Sequence, residues 1–411
     1  MSRVLYIQYT NPAGYPPLQH SSRILADAGW KVLFLGTGAA GADALTFPDH
    51  RNITIKRMEF CQPGWRQKLH YLRFCLWAFW TALLWRPRWI YASDHLSCPA
   101  ALLAASLPGC QLIYHEHDSP HSGNSARGFA GFISRARAAV ARRADICVVP
   151  NQDRLERYRA ELGPLRNAVC VWNCPASAEI ADRSRKPAAG DIWVLYHGSI
   201  VPDRLPQAVI EALAMLPDSV RLRVAGYETT GARGYVEQLR ARARALNIEH
   251  RIEFLGSIPQ RADLLAQTMH SDIGLALMPL VSSDWNCETM TGASNKAFDY
   301  LACGLALVVS DRPDWRGMFA SPDDLEPAYA RICDPSDASS IAAALRGWIE
   351  DPVAMRQAGE LGRQRTLAEW NYEDMFRPVF LRMTGDPEPV FSTGRRSVDS
   401  DVANTVEPVQ K

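Results

Sequence analysis

The sequence predicts an α/β protein built as two doubly wound parallel-sheet domains that face each other across a cleft. Three observations carry this. Short apolar segments alternate with helical ones from Val4 onward, a polar stretch without apolar period (Ala181 to Gly190) interrupts them, and the alternation restarts at Ile192. At 411 residues the chain is also longer than one hydrophobic core usually serves.

Val4 to Tyr9 reads as a buried strand, closed by the turn Asn11-Pro12-Ala13-Gly14. A helix follows with Leu18, Leu25 and Ala28 on one side and Gly29 as its stop, and Lys31 to Leu35 is the next strand. Strand, helix, strand at this spacing is a parallel crossover unit. Short strands at Ile90 to Ala92, Gln111 to Tyr114, Ile146 to Val149 and Val169 to Trp172 complete the first half. In the second half the strands are Ile192 to Tyr196, Val220 to Ala225, Ile252 to Leu255, Ile273 to Met278 and Leu305 to Val309. Helices at Pro206 to Leu216 and Tyr235 to Leu246 lie between the earlier ones. The expected domains are 1–180 and 191–370, with a helix at about 371–384 packing back on the first. Residues 385–411 lack periodicity and read as a disordered tail. Two such halves leave one obvious ligand site, the cleft at the carboxyl ends of their strands.

Apolar residues make up 47% and charged residues 22%, ordinary for a globular protein, and a formal net charge of +1 gives no reason to expect a nucleic-acid partner. The ten cysteines show no zinc or redox spacing and read as buried, reduced thiols. Met1 to Tyr9 lacks a signal peptide's basic start and cleavage site, so a cytoplasmic protein is expected. Phe74 to Trp85 is rich in Leu, Trp and Phe but too short to span a bilayer. Arg66, Lys68, Arg73, Arg86 and Arg88 flank it, and Arg135, Arg137, Arg142 and Arg143 form a second basic group. Two readings stand side by side: peripheral contact with an anionic inner leaflet, or a core helix with solvated arginines at its ends.

The most informative stretch runs from Thr291 to Gly304. It is a small-residue loop, a helix beginning near Ser294 and a glycine stop. Free N–H groups at such a start suit a phosphate, Lys296 adds a positive charge, and Asp299 offers an acceptor-only carboxylate to a pair of sugar hydroxyls. A second phosphate turn is expected at Gly198-Ser199, with Arg204 as the nearby cation. Just past the strand at Leu112 stand His115, Glu116, His117 and Asp118. Neighbours along a strand face opposite ways, so His115, Glu116 and His117 do not converge easily on one metal ion. Gly14, in the first turn, would let a substrate approach the backbone closely.

The run from Ser294 through Asp311 resembles the donor-site signature of retaining GT-B glycosyltransferases of the family 4, or group 1, type. The resemblance extends in order from Val4 to about Phe380. It implies two Rossmann-like domains and a nucleotide-diphosphate sugar as co-substrate, with no cofactor or metal. Asp299 would hold the donor ribose, and Ser294, Asn295 and Lys296, with Gly198, Ser199, Arg204 and Tyr227, the diphosphate side. His117 and Asp118 would face the donor sugar and acceptor, with His117 positioning substrate and the acceptor hydroxyl attacking from the leaving-group face. The acceptor would be saccharide or lipid-linked, in surface polysaccharide or glycolipid assembly. The family's fuller pattern has an acid eight positions before Asp299, where this chain has Thr291, although a Ser-Asn-Lys subset lacks that acid. A non-catalytic binding subunit and a sugar-nucleotide epimerase of the same fold are the rivals. Asp299→Ala is expected to weaken donor binding and spare the fold.

Overall fold

The computed structural model describes residues 1–120, 128–165, 167–181, 190–320 and 328–385. Most of the polar break at 181–190 and all of the tail beyond Gly385 lie outside the described residues. The first half contains β1 (Arg3–Ile7), β2 (Lys31–Thr37), β3 (Ile53–Met58), β4 (Trp89–Ser93), β5 (Gln111–His115), β6 (Ile146–Val149) and β7 (Ala168–Cys170). The second contains β8 (Ile192–Ile200), β9 (Val220–Glu228), β10 (Ile252–Gly256), β11 (Ile273–Ala276), β12 (Ala306–Ser310) and β13 (Ala330–Cys333).

The strands form two wholly parallel sheets, in the orders β3-β2-β1-β4-β5-β6-β7 and β10-β9-β8-β11-β12-β13. Both faces of each sheet are covered, which is why the central strands are continuously apolar. Alternation within them decides the face. Leu5, Ile7, Leu33 and Leu35 enter one cluster, while Val4, Tyr6, Val32 and Phe34 enter the cluster on the other side. Chain direction across the sheet reverses between β1 and β4, and again between β8 and β11. Each reversal opens a crevice at the carboxyl ends of the strands.

Two strands escape the sequence reading, and both are edges. β3 pairs only with β2, and β13 only with β12. An edge strand is half solvated, so Ile53-Thr-Ile-Lys-Arg-Met58 alternates rather than running apolar. A third difference lies at Gly198 and Ser199. The sequence suggests a turn there, but β8 continues to Ile200 with Gly198 opposite Gly226 of β9. A Cβ on Gly226 would fall 1.8 Å from the Gly198 carbonyl oxygen, so side chains at this point would force the two strands apart.

The helix Tyr372–Thr384 crosses back to the first half, where Tyr372, Phe376, Val379, Phe380 and Met383 join the cluster holding Val4 and Tyr6. Its Asn371 side chain accepts from the Asp374 N–H as an N-cap. The ten cysteines, all among the described residues, form no disulfide. Phe376 is fully buried. Phe376→Ala is expected to cost about 3 kcal/mol in urea unfolding, from lost burial plus the cavity left behind; an unchanged midpoint would show that the helix does not stabilise the first half.

Candidate active site

At the carboxyl end of β8 the chain buries a cation. The helix Lys296–Ala302 turns Lys296 toward β8, where its Nζ lies 5.8 Å from the Tyr196 ring centre and packs on Gly198. A Cβ at Gly198 would meet Lys296 Cε at 2.9 Å, so glycine makes the room. Lys296 makes no hydrogen bond or ion pair among the described residues. Burial pushes its ammonium down to about 7, and the neighbouring Arg204 pushes in the same direction, against the pull of Asp299. Close by in the chain, the Ser294 hydroxyl is buried without a hydrogen-bond partner. Ser199 is hydrogen bonded to the Tyr227 phenol, which Arg204 also influences. Two cations and an unsatisfied hydroxyl make a corner suited to an anion.

Beside this corner, Ile200, Gly226, Tyr227, Glu228, Phe254 and Ser257 help line a hollow of about 470 Å³. Its floor is the ends of β8, β9 and β10. The Glu228 carboxylate is occupied there, accepting from the Gly234 and Val236 N–H groups at 3.0 and 2.7 Å.

Asp299 requires a correction. The sequence suggests an acceptor-only carboxylate for a pair of sugar hydroxyls, but the residue is fully buried and both its oxygens already have donors. Arg261 clamps both its oxygens, at 2.7 and 3.1 Å, and the Asn295 side chain donates to one of them at 2.6 Å. The other side of Arg261 binds Glu179 at 2.7 and 3.0 Å, and Glu179 lies 2.8 Å from His20 Nε2. Burial alone would raise the Glu179 carboxyl, but Arg261 and His20 outweigh it and hold it below the carboxylate range. His197 lies 3.7 Å from Asp299 and is held down to about 4 by burial, so it stays neutral near pH 7. Asn295 is committed to this network too. Asp299 is thus the counter-ion beneath the cation corner, and one turn of helix carries its side chain inward rather than toward the gap.

The first half brings a different set together. His117 Nε2 is 3.0 Å from Ser93 Oγ, and its ring lies 3.9 Å from that of His115, which shares a 2.7 Å hydrogen bond with Tyr91. Burial lowers both imidazoles, His115 further than His117, and Asp94 partly opposes the shift at His117. Asp94, directly after β4, has a left-handed conformation (φ 63°) and accepts from the His117 N–H at 3.0 Å. Such a backbone is costly for a residue with a Cβ and clusters at functional sites. Burial raises the Asp94 carboxyl against the pull of His117. Tyr15 stacks obliquely on His117 at 5.1 Å; burial and then Asp94 and Asp118 hold its phenol protonated. Gly14, just before it, closes a short turn by donating to Asn11 O. Asp118 is exposed, 3.4 Å from Arg154.

Glu116 has no free face. Arg137 donates to it twice, Tyr114 donates at 2.7 Å, and Ser119 completes the shell, so it fixes the loop. Among the described residues no group of His, Cys, Asp or Glu is placed to hold a metal.

The halves touch around this gap. Asn286 accepts from the Ser119 N–H at 3.0 Å and donates to the Ser119 carbonyl at 2.8 Å. Asn151 donates to the Thr289 and Thr291 carbonyls at 2.9 and 2.7 Å, and Arg154 binds the His117 and Asn286 carbonyls. The Thr291 hydroxyl turns away and donates to Asp314 at 2.8 Å. Sequence reasoning missed Asp94, Tyr15, Arg154, Arg261 and Asn286. An acid directly after a strand was a usable signal for Asp94, whereas the others carry none, because their partners are distant in the chain.

The earlier expectation for Asp299→Ala therefore changes. Losing it leaves part of a buried guanidinium unpaired, and urea unfolding should show a loss of about 3 kcal/mol; full stability with weakened donor binding would restore the open-carboxylate role.

A family model described as a glycosyl transferase 4-like domain matches residues 18–174, and one described as glycosyl transferases group 1 matches residues 178–365. Glycogen synthase of Mycobacterium tuberculosis is 22% identical over 390 residues, covering 87% of this chain and 90% of that protein. Sucrose-phosphate synthase from Thermosynechococcus elongatus superposes with a TM-score of 0.67 at 15% identity, over 92% of this chain and 99% of that one. HepE of Anabaena, solved with UDP and glucose, gives 0.67 at 14% identity, over 94% and 100%. With both halves matched in order on two parallel Rossmann-like sheets, the chain belongs to the group 1 glycosyltransferases of GT-B architecture.

Proposed function

We propose that this glycosyltransferase moves a hexose from a nucleoside-diphosphate sugar to an acceptor hydroxyl with retention of configuration. The observation that carries the donor assignment is the buried Lys296 ammonium beside Arg204, without a hydrogen-bond acceptor among the described residues. A diphosphate supplies two negative charges at that point and accepts from the Ser294 hydroxyl. The base occupies the hollow floored by β8, β9 and β10, with Tyr227 near the diphosphate. HepE, solved with UDP and glucose, supports this class of donor.

The sugar then faces His117, Asp118 and Tyr15. The acceptor oxygen forms its bond to the anomeric carbon as the bond to the donor phosphate oxygen breaks. That electron pair stays on the diphosphate, whose oxygen takes the acceptor proton. Lys296 and Arg204 stabilise the growing charge, in a water-poor site where such groups count most. The neutral, buried His117 orients the sugar instead of abstracting the proton. The acceptor is a saccharide or a lipid-linked saccharide, and surface polysaccharide or glycolipid assembly is the setting this reading favours. No metal or cofactor enters the scheme.

One observation favours a second reading, a binding subunit without activity: Thr291, at the position where the resembled family pattern has an acid, has its hydroxyl bound to Asp314. Melting with uridine, guanosine and adenosine diphosphates separates the two. A ligand at 100 times its dissociation constant stabilises the folded state by about 2.7 kcal/mol. One diphosphate is expected to raise the midpoint and its sugar conjugate to hydrolyse slowly; indifference to all three would defeat the donor assignment, and binding without hydrolysis or transfer would favour the subunit.

Lys296 gives two sharper outcomes. Below about pH 7 the free enzyme already holds the charged ammonium. Above it, binding must first return the proton, so affinity for a nucleotide sugar should fall as pH rises and binding should take up a proton. Calorimetry in buffers of different ionisation enthalpy reads this directly. Lys296→Met should abolish the pH dependence, weaken binding by about tenfold or more through the lost charged contact, and raise the melting point of the free protein near pH 7. A destabilised variant with unchanged affinity would remove Lys296 from the site.

A further inference from the structure

The helix Trp65–Trp85 carries two apolar stripes, and only one is used by the fold. Tyr71, Phe74, Cys75, Ala78 and Ala82 are buried against the first sheet's cluster. On the opposite side Trp65, Leu69, Leu72, Leu76 and Trp80 stand exposed, with Trp65 at 68% and Trp80 at 55%. At about 100° per residue these five fall on one side of the helix, away from the buried five. Phe129, on the neighbouring helix Gly128–Arg143, meets Tyr71 edge-on at 5.2 Å, and both it and Phe132 are exposed. The core-helix reading describes the buried face, and the exposed face is the one on which a membrane contact would rest.

Charge surrounds the stripe with one sign. Arg66 and Arg73 border one side and Lys68 the other, with Arg86 and Arg88 just beyond the end. All five are exposed, and none forms an ion pair among the described residues. From Phe60 to Ser93 the sequence contains no Asp or Glu, and the helix Gly128–Arg143 contains none either. A second copy of the chain meeting this face about a two-fold axis would bring the same cations together, which disfavours self-association.

We propose that this face docks the enzyme on an anionic lipid surface, with the helix lying in the plane of the interface. Trp and Leu enter the headgroup boundary while the basic rim meets lipid phosphates. The helix cannot enter further, because its other stripe is held in the core. No helix among the described residues is long and apolar enough to cross a membrane, consistent with an in-plane contact. The proposal goes beyond the donor site and involves no residue of it, so either can fail alone.

The test is flotation of the full-length protein, without nucleotide, on phosphatidylcholine vesicles with and without phosphatidylglycerol. Each basic side chain at an anionic surface is worth about fivefold in partitioning, so the anionic vesicles are expected to retain the protein far better and to release it at high salt. Leu72→Gln/Trp80→Gln and Lys68→Glu/Arg73→Glu, all at exposed positions, should each lose most of the binding with the melting point unchanged. Equal retention on both vesicle types, retention on neither, or wild-type binding by the two double variants overturns the proposal. So does light scattering that shows a dimer dispersed by the apolar pair, or an acidic protein that binds the face while vesicles do not.

Discussion

A buried ammonium next to a guanidinium is unfavourable until an anion joins them, and the second half is arranged around that imbalance. Lys296 is out of solvent, Arg204 presses on it, and the carboxylate that pulls the other way is Asp299. Asp299 is already shared with Arg261 and Asn295, so it moderates the field without closing the corner. Gly198 and Gly226 belong to the same arrangement, since only glycine lets Lys296 lie this close to β8 and lets β8 meet β9 there. Such a site gives up some folded-state stability so that its donors need not reorganise when charge develops.

The counter-ion network extends further than the site. From Asp299 it runs through Arg261 to Glu179, on the crossover between the halves, and on to His20 in the helix Pro16–Asp27 of the first half. Glu373, at the start of the returning helix, accepts from Ser177 nearby. The floor of the cation corner and the joint between the halves thus share one set of buried polar contacts. Any relative movement of the halves must keep Glu179 paired or leave a charge stranded, which restricts the paths that movement can take.

Much of this was legible in the sequence because it rests on local chemistry. Continuous apolar strands such as Val4 to Ile7 announce a parallel sheet, and a lysine just after a small-residue loop marks the helix start at which Lys296 is buried. What was not legible depends on distance or on backbone. Asp299 looks like a free acid until Arg261, 38 residues earlier, is folded onto it. Asp94 looks like any acid in a loop, because its left-handed conformation comes from the tertiary structure. β3 and β13 were missed because edge strands mix polar and apolar residues, and Trp65–Trp85 was half read because both its stripes are apolar.

The two walls of the gap divide the labour by charge. The second-half wall carries the cations Lys296 and Arg204, and on the proposed reading it receives the departing diphosphate. On the first-half wall burial works against charge: it lowers His115 and His117, keeps Tyr15 protonated and raises the Asp94 carboxyl, while the exposed Asp118 lies 3.4 Å from Arg154. Neutral donors and acceptors suit sugar hydroxyls, which carry no charge and are recognised by hydrogen bonds in fixed directions. In the proposed reaction a charged imidazole at His117 would add a cation on the acceptor side, in competition with Lys296 and Arg204 for the diphosphate. On that proposal, an uncharged His117 leaves the electrostatic driving force on the leaving-group side of the breaking bond.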